Sequence, residues 1–286
     1  MKKYIISSLL VLLSIIFISC EDTAPTEYKQ NFVVEGLLIV GEPIGNIKIL
    51  ETQSLRDSFV YDNSIVRNAK VTITSGGKSY ELEFDTVKQS YVYADKNELV
   101  KELTEYQLKI ELKDGKVFTG RTFTPKTFEW IKDAPDYMQY PQDTINLPSD
   151  YDVSWTKADT TKFYVLRIVP LDTLNYGKYL NPQTEELNRR IMRSWIRKPE
   201  FYFRELTNWT FLPTTEVPVV WNSFKWFGIN EVTVFAPDAN FLNWTLQTFF
   251  TQELVDLLSS IDGGAYGYFG SATMIKDTSF VLKNQP

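Results

Sequence analysis

Ala69-Lys70-Val71-Thr72-Ile73-Thr74-Ser75-Gly76-Gly77-Lys78-Ser79-Tyr80-Glu81-Leu82-Glu83-Phe84 carries the fold of this chain in miniature. Ala69, Val71 and Ile73 alternate with Lys70, Thr72 and Thr74, and after the turn Tyr80, Leu82 and Phe84 alternate with Glu81 and Glu83. Side chains of a strand point to opposite faces with a period of two, so each half presents one apolar and one polar face. Gly76-Gly77 supplies the positive φ that a tight hairpin requires. The pattern recurs at Tyr106, Leu108, Ile110 and Leu112, opposite Gln107, Lys109 and Glu111, with Asp114-Gly115 as turn and Val117 opening the return strand.

Working outward, Phe32-Val33-Val34 through Gly36 to Leu37-Leu38-Ile39-Val40 reads as a first strand and its turn. Asn46–Leu50 and Tyr91-Val92-Tyr93 add short strands. Many short strands with regular turns and no convincing helix predict a β-sandwich over residues 31–125. Pro125, Pro135, Pro141 and Pro148 mark residues 126–150 as an interdomain segment, although Phe128, Trp130 and Ile131 are apolar enough to pack against either side. Strand pattern resumes at Tyr151, Val153 and Trp155, followed by Phe163–Val169, and opens a second β-rich domain over 151–286. The fold expected is therefore mainly β: two antiparallel β-sandwich-like domains with a helical excursion in the second.

That helix is expected near 181–197. Asn181 can cap it and Pro182 fits its first turn. Leu187, Ile191 and Trp195 repeat every four residues, Arg189, Arg193 and Arg197 fall on another face, and Pro199 stops it. Later strands are expected at Val219–Trp221, Val232–Phe235 and Thr278–Leu282. Phe241–Leu258 suits a helix through Leu242, Leu246 and Phe249, or a strand through Trp244, Leu246 and Thr248. Gly263, Gly264, Gly267 and Gly270, set among Tyr266, Tyr268 and Phe269, imply turns and close backbone approach.

At the other end of the chain, Lys2 and Lys3 precede an apolar run from Tyr4 to Ile18, which is too short to span a bilayer and reads as an export signal. Cys20 follows Ser19 and is the one cysteine among 286 residues. It cannot form an internal disulfide, and Phe17-Ile18-Ser19-Cys20 resembles the processing site of bacterial lipoproteins. The expectation is cleavage of residues 1–19, lipid (palmitate) on Cys20, and a polar tether over 20–30. Glu21 and Asp22 resemble the signal that sends such lipoproteins to the cell surface.

Composition bounds the chemistry. The formal charge is −6, and removing Lys2 and Lys3 with the leader makes the chain more acidic still, which argues against a nucleic-acid partner. With no histidine there is no Ser-His-Asp triad, no Cys-His pair and no histidine-ligated metal. Glu81 with Glu83 lies on a solvated strand face, and Glu185 with Glu186 sits where a helix start favours negative charge without any function. Asp133, Asp136, Asp143, Asp150, Asp152 and Asp159 show no calcium-loop spacing. No catalytic residue, metal ligand or cofactor site is assigned.

Val34-Glu35-Gly36 after the tether, Ala69–Ile73 before a double glycine, Tyr106-Gln107-Leu108 before Asp114-Gly115, and the Gly263–Gly270 stretch together resemble a Bacteroidota outer-membrane lipoprotein family. Its central domain is of unknown function, and its members are commonly encoded beside TonB-dependent transporters. The chain departs from the pattern at Leu103, where the family usually has glycine, and at Tyr266, where a smaller or aliphatic residue is common. The resemblance implies an outer-membrane protein that assists a TonB-dependent transporter, or binds its cargo, without covalent chemistry; surface exposure is expected from Glu21 and Asp22. A carboxylate-based hydrolase of surface glycan is the alternative. The partner surface expected comprises Arg189, Arg193, Trp195, Arg197, Trp209, Tyr266, Tyr268 and Phe269, each of which could instead complete the core.

Overall fold

Alternation in the sequence becomes alternation in burial. A computed structural model describes residues 28–54, 58–139, 152–191, 208–219, 223–250 and 258–283; the leader, Cys20 and Glu21-Asp22 lie outside them. The first half runs β1 (Phe32–Ile39), β2 (Gly45–Glu51), a one-turn helix α1 (Tyr61–Ser64), β3 (Lys70–Ser75), β4 (Lys78–Asp85), β5 (Ser90–Tyr93), β6 (Glu105–Glu111) and β7 (Val117–Phe123). Then come β8 (Trp130–Lys132), β9 (Tyr137–Gln139), β10 (Asp152–Trp155) and β11 (Tyr164–Pro170). β12 (Asn208–Leu212), β13 (Glu216–Pro218), β14 (Gly228–Pro237), helix α2 (Ala239–Phe250), β15 (Ile261–Asp262) and β16 (Tyr266–Leu282) complete the chain. The architecture is mainly β, with a large and a small sheet whose pairings are antiparallel except where β16 meets β1 and β9.

Both hairpins form in the expected register. Val71 pairs Leu82 and Ile73 pairs Tyr80 across the Gly76-Gly77 turn, and Leu108 pairs Gly120 across the Asp114-Gly115 turn. Val71, Ile73, Tyr80, Leu82, Leu108 and Ile110 are buried, while Lys70, Glu81, Gln107 and Lys109 face out. In strand order β1-β2-β5-β4-β3-β6-β7, β1 and β7 are six steps apart, about 29 Å in a flat sheet. Yet the rings of Phe32 on β1 and Phe118 on β7 lie 5.4 Å apart. The sheet therefore folds over on itself and closes a sandwich-like core around them.

A second core collects Phe128, Met138, Trp155, Ile168, Phe224 and Val234. β16 serves both. Phe269 lies in the first core and Val281 in the second, while β16 pairs in parallel with β1 and antiparallel with β14. Residues 31–52 and 60–286 form one compact unit. Ile261, Ala265 and Phe269, which their position in the sequence assigns to the second half, are thus part of the first core. The segment expected to cross between domains is described up to Gln139, and it is structured. Phe128, Ala134 and Met138 are buried in the second core. Hydroxyls of β16 fasten the crossing chain: Ser271 donates to the Phe123 carbonyl, Thr273 to that of Lys126, and Ser279 to that of Pro135, at 3.2, 3.1 and 2.7 Å.

The helical excursion of the second half is α2, which decides the ambiguous stretch from Phe241 as helical through Phe250. Phe241 and Thr245, four residues apart, form its buried stripe. The helix expected near 181–197 is absent over its described part, 181–191, and 192–197 lie outside the described residues. Tertiary hydrogen bonds replace the helical ladder there. The Asn188 side-chain amide donates to the carbonyls of Asp172 and Phe227, Ile191 N–H donates to Lys225, and Arg190 bridges to Trp226. Helix propensity of a few tenths of a kcal/mol per residue does not outweigh such bonds, at about 1 kcal/mol each.

Candidate functional site

The outward face of β4-β3-β6-β7-β15 forms an open trough of about 1070 Å³. Strand register lays its side chains in rows. Ser79, Thr74, Gln107 and Arg121 form one row, and Glu81, Thr72, Lys109, Thr119 and Asp262 the next. Lys70 bridges Glu81 at 3.4 Å and Lys109 bridges Glu111 at 2.6 Å. The Lys109 hydrogen bond holds the Glu111 carboxyl below its ordinary range. Glu81, one of the acids available to a hydrolase, is thereby an exposed partner of a lysine. Solvent screens such exposed pairs, so they re-partner readily.

Arg121 also lines an adjoining recess of about 500 Å³ with Glu105, Phe123, Pro125, Asp238 and Asn240. Asp238 sits at the N-cap of α2. Its Oδ1 accepts the Phe241 N–H at 2.9 Å and its Oδ2 accepts the Thr122 hydroxyl at 2.6 Å, while Thr122 and Ser271 hydroxyls lie 2.7 Å apart. Burial raises the Asp238 carboxyl above its ordinary value, against the effect of these donors. Asn240 ties the same corner by donating to the carbonyls of Arg121 and Phe269 at 2.7 and 2.9 Å. This carboxylate is committed to a helix cap and to the junction of the two halves, so it is a structural acid. The signal for it was in the sequence: aspartate after proline, three residues before Phe241, is a helix-start pattern. Arg121 carries no such signal, because an arginine on an alternating strand reads as ordinary solvated charge.

Among the described residues, those expected from sequence on a partner surface lie apart. Phe269 is fully buried in the first core, so it is corrected from surface to core; burial of such a ring stabilises by about 1.5–3 kcal/mol. Tyr268 is half-buried, its ring 5.6 Å from that of Phe241 and 6.0 Å from that of Trp244. Burial, aided by the Glu35 charge, pushes its phenol up. Tyr266 is exposed at the start of β16. Arg189 is exposed with its guanidinium 5.3 Å from the Phe227 ring centroid, next to Gly228, which pairs Val281 near the other end of β16. Tyr266 and Arg189 are therefore separated by a strand contour of about 50 Å. The Trp209 backbone pairs Arg167 on β11; its side chain, with Arg193, Trp195 and Arg197, lies outside the described residues.

The acids considered for calcium divide likewise. Asp143 and Asp150 lie outside the described residues, and among the described residues no three Asp or Glu side chains converge. Glu186 of the Glu185-Glu186 pair accepts from Lys283 Nζ at 2.7 Å. A separate acid, Asp172, organises the 172–188 loop. The Asn175 N–H, then the Leu174 N–H, hold its carboxyl down to about 2.

No curated protein matches the sequence. The model of a family described as a domain of unknown function (DUF4249) matches residues 21–278, which take in the first core, most of the second and β16 as far as Thr278. On that match, the chain belongs to the DUF4249 family.

Proposed function

We propose that this chain is a lipid-anchored accessory protein of the outer membrane, facing the cell exterior, that binds a TonB-dependent transporter or its cargo without covalent chemistry. The observation that carries the binding role is the trough: a broad polar surface built on paired strands, open along its length, with its side chains set in register. A rigid strand face suits recognition, because little backbone entropy remains to be lost when a partner docks. The buried carboxylate nearest to it has both oxygens engaged in structure. The anchor is supported by the apolar leader, the single Cys20, and a family match that begins at the following residue. The transporter enters from the family resemblance.

The test is purification of the tagged full chain in mild detergent from cells expressing it at native level, with cross-linking before lysis. A TonB-dependent transporter should co-purify. The Cys20→Ala variant should leave the membrane fraction after a high-salt wash and lose the transporter with it. A preparation without transporter, cross-linked or not, overturns the proposal. Hydrolysis of a surface glycan, lost on replacing one carboxylate, would replace it with the enzyme reading.

A further inference from the structure

We infer that the trough on β4-β3-β6-β7-β15 is a site for a short extended peptide, whose free terminal carboxylate is taken by Arg121. The inference rests on the binding role proposed above but not on the transporter.

Three observations carry it. The first is a set of polar side chains with no partner in the fold. Among the described residues, the hydroxyls of Thr72, Thr74, Ser79 and Thr119, the Arg121 guanidinium and the Asp262 carboxylate make no hydrogen bond or ion pair within the chain. Strand register groups them in two adjacent rows. Elsewhere in the same fold, the hydroxyls of Thr122, Ser271, Thr273 and Ser279 are all bonded.

The second is the distribution of charge. Lys70 and Lys109 are each bridged by a glutamate, and Arg121 is the cation of the trough without one. A guanidinium presents parallel N–H groups that match both oxygens of a carboxylate. The adjoining recess, which Arg121 also lines, offers half-exposed Phe123 to the last side chain of such a ligand, with Glu105 and Asp238 at its rim.

The third is what the lining omits. Among the described residues no aromatic ring borders the trough, and its described lining gives a sugar ring no flat apolar surface to stack on. It offers instead short hydroxyls, an amide and a carboxylate, which are donors and acceptors suited to the N–H and C=O groups of an extended backbone. From the Lys70 row to the Thr74 row is about 14 Å along β3, the length of about four extended residues.

The experiment uses the full chain in mild detergent, immobilised and exposed to tryptic casein peptides of four to eight residues, with retained species read by mass spectrometry. One retained peptide is then made as free acid and as C-terminal amide and titrated calorimetrically. The wild type should retain peptides, and the amide should bind at least tenfold more weakly than the acid. Arg121→Ala should weaken the acid at least tenfold and leave the amide unchanged. That side chain is exposed and makes no hydrogen bond or ion pair within the chain, so the variant should keep the wild-type melting curve, which is checked in parallel. No retention by the wild type, equal binding of acid and amide, or an unchanged affinity in R121A would each overturn the inference. Because no transporter is present in the assay, failure of the transporter complex would leave this result standing.

Discussion

Thr122 Oγ1 donates to Asp238 Oδ2 across 2.6 Å, joining β7 to the cap of α2 although 116 residues separate the two. The carboxyl that accepts this bond is raised by burial above its ordinary value of 3.8. In the folded state its charged form is therefore disfavoured. The stabilisation it can give is fully present below the unfolded value and is lost as pH rises through the folded one. Asp238→Asn keeps an oxygen for the Phe241 N–H, sets an amide N–H2 against the Thr122 hydroxyl, which can turn to accept from it, and carries no charge. It should be at least as stable as wild type at neutral pH, with the difference shrinking on acidification. Asp238→Ala removes cap and acceptor together and should lose about 1–3 kcal/mol. Urea melts of the three proteins at neutral pH and near pH 4 check both statements.

Asp172 has the opposite sign. The N–H groups of Asn175 and Leu174 lower its carboxyl to about 2, so its contribution is present above the ordinary 3.8 and lost as pH falls toward 2. Asp172→Asn should loosen the 172–188 loop at neutral pH and make no difference at the acid end. Amide exchange at Leu174 and Asn175, compared between the two proteins at each pH, reads this directly. Faster exchange in D172N at low pH alone would contradict the assigned sign.

Leu103 adopts φ of +52°, the left-handed region, and its N–H reaches the Thr124 carbonyl at 3.1 Å. A side chain there costs roughly 1–2 kcal/mol, while glycine costs about 0.5–1 kcal/mol in unfolded-state freedom. Leu103→Gly should therefore stabilise by about 0.5 kcal/mol and raise the melting temperature by about 1–2 °C. Leu103→Ala, which keeps a β-carbon, should bring no such gain. Thermal melts of the two variants separate backbone strain from loss of a half-exposed leucine.

Leu103 also marks what the sequence can and cannot express. Its departure from glycine was visible as a mismatch, and the backbone supplies its meaning. The hairpins at Lys70–Asp85 and Glu105–Phe123 were legible because a half-exposed sheet writes its period into the side chains. β16 was not legible beyond its last residues. Both of its faces are covered along much of its length, so Phe269-Gly270-Ser271-Ala272-Thr273 is buried without alternation. The 181–191 segment has a helical period and no helix, because Asn188, Arg190 and Ile191 bond to residues distant in sequence. Arg121 was hidden for another reason. Its importance lies in lacking a partner, and partners are assigned by the fold.

Gly267 offers the sharpest test of β16 as the element common to both cores. It has φ of +117°, and a β-carbon placed on it would sit 1.9 Å from the Val34 carbonyl oxygen, in the middle of the parallel β1–β16 pairing. Neither the strand nor that carbonyl can move away without losing register, because Val34 is fully buried and pairs Ile49 on its other side. Gly267→Ala should thus combine backbone strain with a clash and lose more than about 3 kcal/mol. Gly264 is the control. Its φ is +90°, but no atom lies within 4 Å of its would-be β-carbon, so Gly264→Ala should lose only the backbone cost of about 1–2 kcal/mol. Equal losses in denaturant melts would mean that the clash relaxes and that β16 is not held against β1. A large loss in G267A alone, read by fluorescence of the tryptophans of the second half, would show that breaking the pairing near the first core unfolds the second as well.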